Sequence, residues 1–67
     1  METKLEKIIK ERGLKKGFIA EKAGLSRSAF SLVCSGKSVP TLLAAIRIAR
    51  VLNTTVEELW GNLIEHD

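Results

Sequence analysis

Residues 20–30 read AEKAGLSRSAF, and this stretch decides how the whole chain is interpreted. One helical pattern ends at Gly24, which can adopt the left-handed conformation that closes a helix. Another pattern begins after Ser26, a preferred N-cap residue. Only Leu25 lies between them, and a connection this short fixes two helices at a steep angle. The stretch therefore predicts a helix-turn-helix, with Leu25 packed at the corner and the second helix projecting from the domain.

The spacing of apolar residues predicts that the rest of the chain is also helical. We expect five helices, with Gly13, Gly24 and Gly36 ending the first three. Their predicted spans are about 3–13, 16–23, 26–34, 40 or 41 to 52, and 55–60. Gly61 ends the fifth helix, or the helical spacing carries it onward. The chain is thus predicted to be all-α.

Helical spacing also assigns the buried faces. On the third helix Phe30, Val33 and Cys34 are predicted to face inward. Its other side is predicted to carry Arg27, Ser28, Ser31 and Leu32. On the fourth helix the predicted buried face comprises Leu42, Ala45, Ile46, Ala49 and Leu52.

Length and composition place the chain among small globular proteins. It has 67 residues, of which 45% are hydrophobic and 28% charged, so we expect one domain over residues 1–67. Cys34 is the single cysteine, so no internal disulfide can form, which fits a reducing compartment. Neither a membrane-spanning apolar run nor a secretion-type leader is evident. We expect a soluble, cytoplasmic protein that does not bind a membrane.

Charge is distributed unevenly along the sequence. Residues 12–50 hold eight Lys or Arg residues and one acid, whereas residues 51–67 hold four acids and no Lys or Arg. This asymmetry favours a polyanionic partner. We expect Lys22, Arg47 and Arg50 to be solvated rather than part of a site.

Enzymatic and metal chemistry find little support in the sequence. Cys34 is expected to be a small buried filler, and with His66 it lacks the second pair of ligands that a metal site needs. Glu57 and Glu58 sit where first-turn acids complement a helix dipole. Phosphate-binding glycine loops and Ser/His/Asp sets are missing. We expect no catalytic residue, metal, cofactor or small-molecule ligand.

The chain from about Leu5 to Trp60 resembles the Cro- and phage-repressor-like, or XRE-like, helix-turn-helix family. The resemblance lies in IAEKAGLSRSAFS at 19–31, Gly36, Pro-Thr-Leu at 40–42, Ile-Ala-x-x-Leu at 48–52 and Val-Glu-Glu-Leu at 56–59. It implies a compact five-helix lambda-repressor-like fold. It also implies a transcriptional regulator, a repressor, that binds double-stranded DNA.

Individual DNA contacts are implied by the same resemblance. Residues at the start of the second helix touch backbone or base, those on the outer face of the third helix face bases and phosphates, and the following loop runs along the backbone. The implied DNA-binding residues are Lys15, Lys16, Arg27, Ser28, Ser31, Leu32, Lys37 and Ser38.

Four positions depart from the family pattern. Lys15 and Lys16 replace a usual Thr-Gln pair, Gly17 replaces a common Glu, and Leu32 stands where a long polar residue is usual. Lys16 therefore favours phosphate, and Leu32 can contact at most a thymine methyl group.

The start of the second helix conflicts with local rules. Lys15 and Lys16 place positive charge at the positive end of the helix dipole, and no side chain there is a good cap. A DNA phosphate at this end would resolve the conflict. We therefore expect both Lys15→Thr and Lys16→Gln to stabilise the free domain.

Apolar residues near the carboxyl end raise the question of self-association. If exposed, they make a patch too apolar for a monomer, and they predict a homodimer built on residues 55–65. The expected interface residues are Leu43, Trp60, Leu63 and Ile64. For Trp60, packing against the first helix is the competing expectation.

Two other functions remain open. The chain could be an antitoxin-like or regulator-partner protein-interaction module, using Leu32, Leu43 and the carboxyl-terminal apolar residues. Exposure of both Leu32 and Phe30 would favour that function. Shape-directed RNA binding is a weaker alternative. The expected lack of exposed aromatic side chains for base stacking argues against single-stranded RNA.

Overall fold

The computed structural model describes residues 3–61. Within that range the chain forms five helices and no strand, which confirms the predicted fold class. The helices are α1 (Lys4–Arg12), α2 (Lys16–Ala23), α3 (Arg27–Ser35), α4 (Leu42–Val51) and α5 (Val56–Trp60). These bounds differ from the predicted spans by only a residue or so, chiefly where a cap was counted with its helix.

Hydroxyl caps begin four of the helices. Each cap oxygen accepts a hydrogen bond from the backbone N–H three residues later, at 3.0 to 3.3 Å. These caps satisfy N–H groups that have no partner within the helix. The four cap residues are Thr3, Ser26, Thr41 and Thr55.

Left-handed residues close α1 to α4. Gly24 has φ 75°, and the next N–H, that of Leu25, donates to the Ala20 carbonyl at 2.9 Å. Asn53 plays the corresponding role after α4, with φ 57°. This geometry reverses the chain direction within one or two residues, which keeps the connections short.

The core lies where α2 packs against α3 and α4, while α1 contacts α3 and α5. Phe30 lies in this core, and Leu25 packs against it from the helix-turn-helix corner. The largest fully buried side chains are Phe30, Leu5, Ile19, Ile48, Leu52 and Cys34.

The predicted buried face of α4 was partly wrong. Leu42 is 73% exposed, and Ile46 is only partly buried. Ile48, which the prediction left out, is fully buried, and Ala44 is buried beside the correctly predicted Ala45. The buried face is therefore rotated about the helix axis from the predicted one.

Two side-chain bonds tie the helix ends together across the fold. The Thr3 hydroxyl, besides capping α1, donates to the Cys34 carbonyl near the end of α3 at 2.6 Å. Arg12 Nη1 donates to the Leu52 carbonyl at the end of α4, with an N···O distance of 2.5 Å. Both bonds satisfy carbonyls that a helix end leaves without a partner.

None of the helices between residues 3 and 61 has the length and apolar character needed to cross a membrane.

Candidate nucleic-acid interface

The two faces of α3 differ sharply. Phe30, Val33 and Cys34 are buried, as predicted, and anchor the helix to the core. The opposite face is exposed and carries Arg27, Ser28, Ser31 and Leu32. All nine residues of α3, RSAFSLVCS, are free of carboxylates, so this helix itself offers no repulsion to a polyanion.

A cleft between α3 and the start of α2 collects several predicted site residues. Its volume is about 430 Å³. Three cationic side chains line it, together with one hydroxyl, so it is suited to an anion. The lining residues are Lys15, Lys16, Gly17, Arg27, Phe30 and Ser31.

The start of α2 lacks a side-chain cap, as the sequence predicts. Lys15 is the N-cap residue and makes no capping bond, and the first turn of α2 holds no acid. The positive end of this helix therefore opens toward the cleft with only cations beside it in sequence. Such an end attracts phosphate oxygens.

Lys16 has a partner that the sequence did not reveal. Its Nζ lies 2.7 Å from Glu6 Oε2 on α1. The hydrogen bond to Glu6 raises the pKa of Lys16 above its ordinary value. The carboxylate at the capping-box position thus pairs with a cation on another helix, and a phosphate at this end of α2 would compete with Glu6 for Lys16.

The loop after α3 folds back onto that helix. The N–H groups of Lys37 and Ser38 both donate to the Leu32 carbonyl, at 3.0 and 3.2 Å. The side chains of Lys37 and Ser38 are exposed. These two predicted contacts lie at the carboxyl end of α3 and, like Ser28 and Leu32, do not line the cleft.

Two basic side chains expected to be solvated have specific neighbours. Lys22 Nζ lies 5.5 Å from the centre of the Phe18 ring, a cation–π distance. Arg47 Nη1 approaches Gly24 closely enough to lie 3.1 Å from a Cβ placed there. A guanidinium at this point complements the negative end of α2.

The expectation that aromatic side chains would not be exposed was wrong. Phe18 is 54% exposed and lies on α2 beside the buried Ile19.

The four predicted interface residues fall into three situations. Leu43 is 57% exposed. Trp60 is partly buried and packs against the core. Leu63 and Ile64 lie outside the described residues.

Cys34 is fully buried, as predicted, and burial raises the pKa of its thiol to about 11. Among residues 3–61 no group of His, Cys, Asp or Glu is arranged to hold a metal ion.

A helix held at a glycine corner, exposed on one side and flanked by cations, is the arrangement of a DNA-binding helix-turn-helix domain. The profile of the XRE/Cro-like helix-turn-helix family matches residues 5–59, and the chain belongs to this family. Membership implies DNA binding, and domains of this kind are typically non-catalytic. A search of curated proteins gave no match to the sequence.

Proposed function

We propose that this protein is a sequence-specific regulator of transcription, a repressor that binds a palindromic operator as a homodimer. The observation that carries the proposal is the exposed face of α3 beside a cation-lined cleft. Lys15, Lys16 and Arg27 converge there, and α3 itself has no acid.

Base reading falls to the first turns of α3. Arg27 can donate two parallel hydrogen bonds to the O6 and N7 atoms of a guanine in the major groove. Ser28 and Ser31 are exposed on the same face and can donate to, or accept from, base edges or phosphates. Leu32, which is 47% exposed, suits the methyl group of a thymine.

Backbone contacts come from both ends of this surface. Lys15 and Lys16 can bind one phosphate at the start of α2, and Lys37 and Ser38 can bind another beyond α3. Each phosphate that a cation neutralises releases condensed counterions, so binding should weaken steeply with salt. These contacts fix the position of the protein on the duplex without reading sequence.

Homodimer formation matches the way such domains read DNA. Two copies related by a twofold axis place their recognition helices about one helical turn apart, roughly 34 Å, on a palindrome. The exposed Leu43 and the segment 55–65 remain our proposed contacts between copies. A bound dimer represses by excluding other proteins from the operator.

Selection of bound duplexes from a random pool tests the proposal. We expect a palindromic consensus with a strongly preferred base pair opposite Arg27. Arg27→Ala should then cost about 1–3 kcal/mol and relax the preference at that position. Lys37→Ala should weaken binding to all duplexes alike and lower the salt dependence by about one counterion per protomer.

Arg50→Ala is a matched control for charge, because Arg50 is exposed on α4 and is not among the proposed DNA contacts. It should leave the consensus unchanged. If Arg27→Ala and Lys37→Ala reduce affinity equally on every duplex, Arg27 does not read a base.

A protein-interaction module on the same fold is the second candidate. It is favoured by the exposed apolar residues Leu32, Leu42 and Leu43. It is opposed by Phe30, which is buried, so α3 does not present the continuous apolar face that this function needs. Failure to select any consensus from the random pool would favour this candidate.

A further inference from the structure

Gly17 is the residue on the floor of the cleft, directly beneath Arg27. A Cβ placed on Gly17 would lie 3.0 Å from Arg27 Nη2, 3.2 Å from Nε and 3.4 Å from Cζ. One whole edge of the guanidinium therefore rests against the first turn of α2. We propose that Gly17 is a specificity-determining position, where the missing side chain makes room for Arg27 and fixes the direction of its fork.

Backbone geometry does not explain a glycine at this position. The glycines that end α1, α2 and α3 have positive φ, whereas Gly17 is a helical residue without it. Within a helix a glycine costs roughly 0.5–1 kcal/mol relative to alanine. The glycine at this position instead leaves space for the Arg27 guanidinium.

Arg27 is also placed where it is poorly compensated in the free domain. It shares the cleft with Lys15 and Lys16 and lies against the positive end of α2. The Glu6 carboxylate already pairs with Lys16 at 2.7 Å, so it is not available to balance the charge of Arg27. An incoming polyanion therefore meets a guanidinium whose positive charge it can balance.

Confinement of the fork bears directly on base reading. A free arginine side chain loses considerable rotamer freedom when it is fixed on a base edge. A guanidinium with one edge against the first turn of α2 has fewer directions open to it, so it loses less of this freedom on binding. A methyl group at position 17 would displace the fork by a few tenths of an ångström.

The experiment is a double-mutant cycle of Gly17→Ala with Arg27→Ala, measured on the selected operator and on a duplex changed at the base pair that Arg27 reads. Gly17→Ala should leave the free domain folded, because the helix preference of alanine offsets the small shift that its Cβ imposes on the guanidinium, and a thermal melt checks this. It should nevertheless reduce the preference for the operator by roughly three- to tenfold, as expected for coupled neighbours. In the Arg27→Ala background, Gly17→Ala should leave that preference unchanged.

The inference rests on the proposed function, and the two can fail separately. If the wild-type protein selects no consensus, the proposed function fails. If the wild type selects a consensus and folded Gly17→Ala has the same preference and affinity, only the role of Gly17 is overturned. An equal loss of preference from Gly17→Ala with and without Arg27 would overturn it as well.

Discussion

At the residue scale, neighbouring residues of the same type can have different surroundings. Lys15 and Lys16 look equivalent in sequence, at the uncapped start of α2. In the structure Lys15 is the N-cap and makes no capping bond, whereas Lys16 pairs with Glu6. The substitutions Lys15→Thr and Lys16→Gln, both expected from the sequence to stabilise the domain, should therefore have different effects on its stability.

Lys15→Thr should stabilise the free domain by about 0.5–2 kcal/mol, because threonine supplies a cap and a positive charge leaves the positive helix end. Lys16→Gln should give no such gain, because it also removes the pair with Glu6. That pair is partly solvent-exposed, with the Lys16 and Glu6 side chains 48% and 21% exposed, and contributes about 1 kcal/mol. Urea unfolding of both variants measures the difference, and equal stabilisation would contradict it.

Cys34 gives the domain a specific weakness at high pH. Burial raises the pKa of the folded thiol from 9.0 to about 11, so the folded state keeps a proton that the unfolded state loses. The stability of the wild type should therefore fall as pH rises from about 9 to 11, by on the order of 2 kcal/mol.

The measurement is urea unfolding across that pH range, with Cys34→Ala as the comparison. Lysines titrate in both the wild type and the variant. Only the difference in unfolding free energy between the two proteins therefore reports on the thiol. The variant should start less stable, because it loses a buried sulfur, and the gap should narrow above pH 9. A difference in unfolding free energy that stays constant with pH would mean that the thiol releases no proton on unfolding.

At the element scale, α4 is the helix whose orientation the sequence failed to specify. Its sequence LLAAIRIARV is apolar at every position except Arg47 and Arg50. Several helix faces are apolar enough to be buried, so the periodic pattern has no clear minimum. The packing of α2 against α4 selects the face with Ile48, and Leu42 is left in solvent.

Ile48→Ala should cost about 2–5 kcal/mol, because it opens a cavity in a fully buried position. Leu42→Ala, at a 73% exposed position of the same helix, should change stability by no more than about 0.5 kcal/mol. Thermal melts of the two variants compare these effects. A large loss of stability in Leu42→Ala would mean that Leu42 is buried, as the sequence predicted.

At the scale of the whole molecule, charge and apolar surface are combined on one small domain. The eight basic residues of 12–50 are all exposed. Leu42 and Leu43 add exposed apolar area at the start of α4. Apolar surface of this kind commonly marks an interface in a small soluble domain.

Leu43→Gln should weaken self-association and remove cooperative binding to a palindrome, while affinity for a single half-site stays within about twofold. Sedimentation at micromolar concentration and titration of palindromic and half-site duplexes measure these effects. Arg50→Gln is the control on α4. Wild-type protein that stays monomeric and binds the palindrome without cooperativity would exclude the dimer.

Local sequence was enough for the ends of the helices and for the helix-turn-helix corner. These features are the hydroxyl caps, the left-handed glycines and the Gly24-Leu25-Ser26 junction. Each depends on interactions among a few neighbouring residues, so a short stretch of sequence is enough to predict it. The buried and exposed faces of α3 could also be predicted from the sequence, because its polar and apolar residues recur with a clear helical period. The roles of the predicted DNA contacts stay predictions.

Tertiary structure alone decided the features that depend on residues far apart in the chain. These are the pairing of Lys16 with Glu6, the seat of Arg27 on Gly17, the approach of Arg47 to Gly24 and the buried face of α4. The physical reason is that side-chain partners across helices are selected by packing, and a short-range pattern contains no information about which helix will lie opposite.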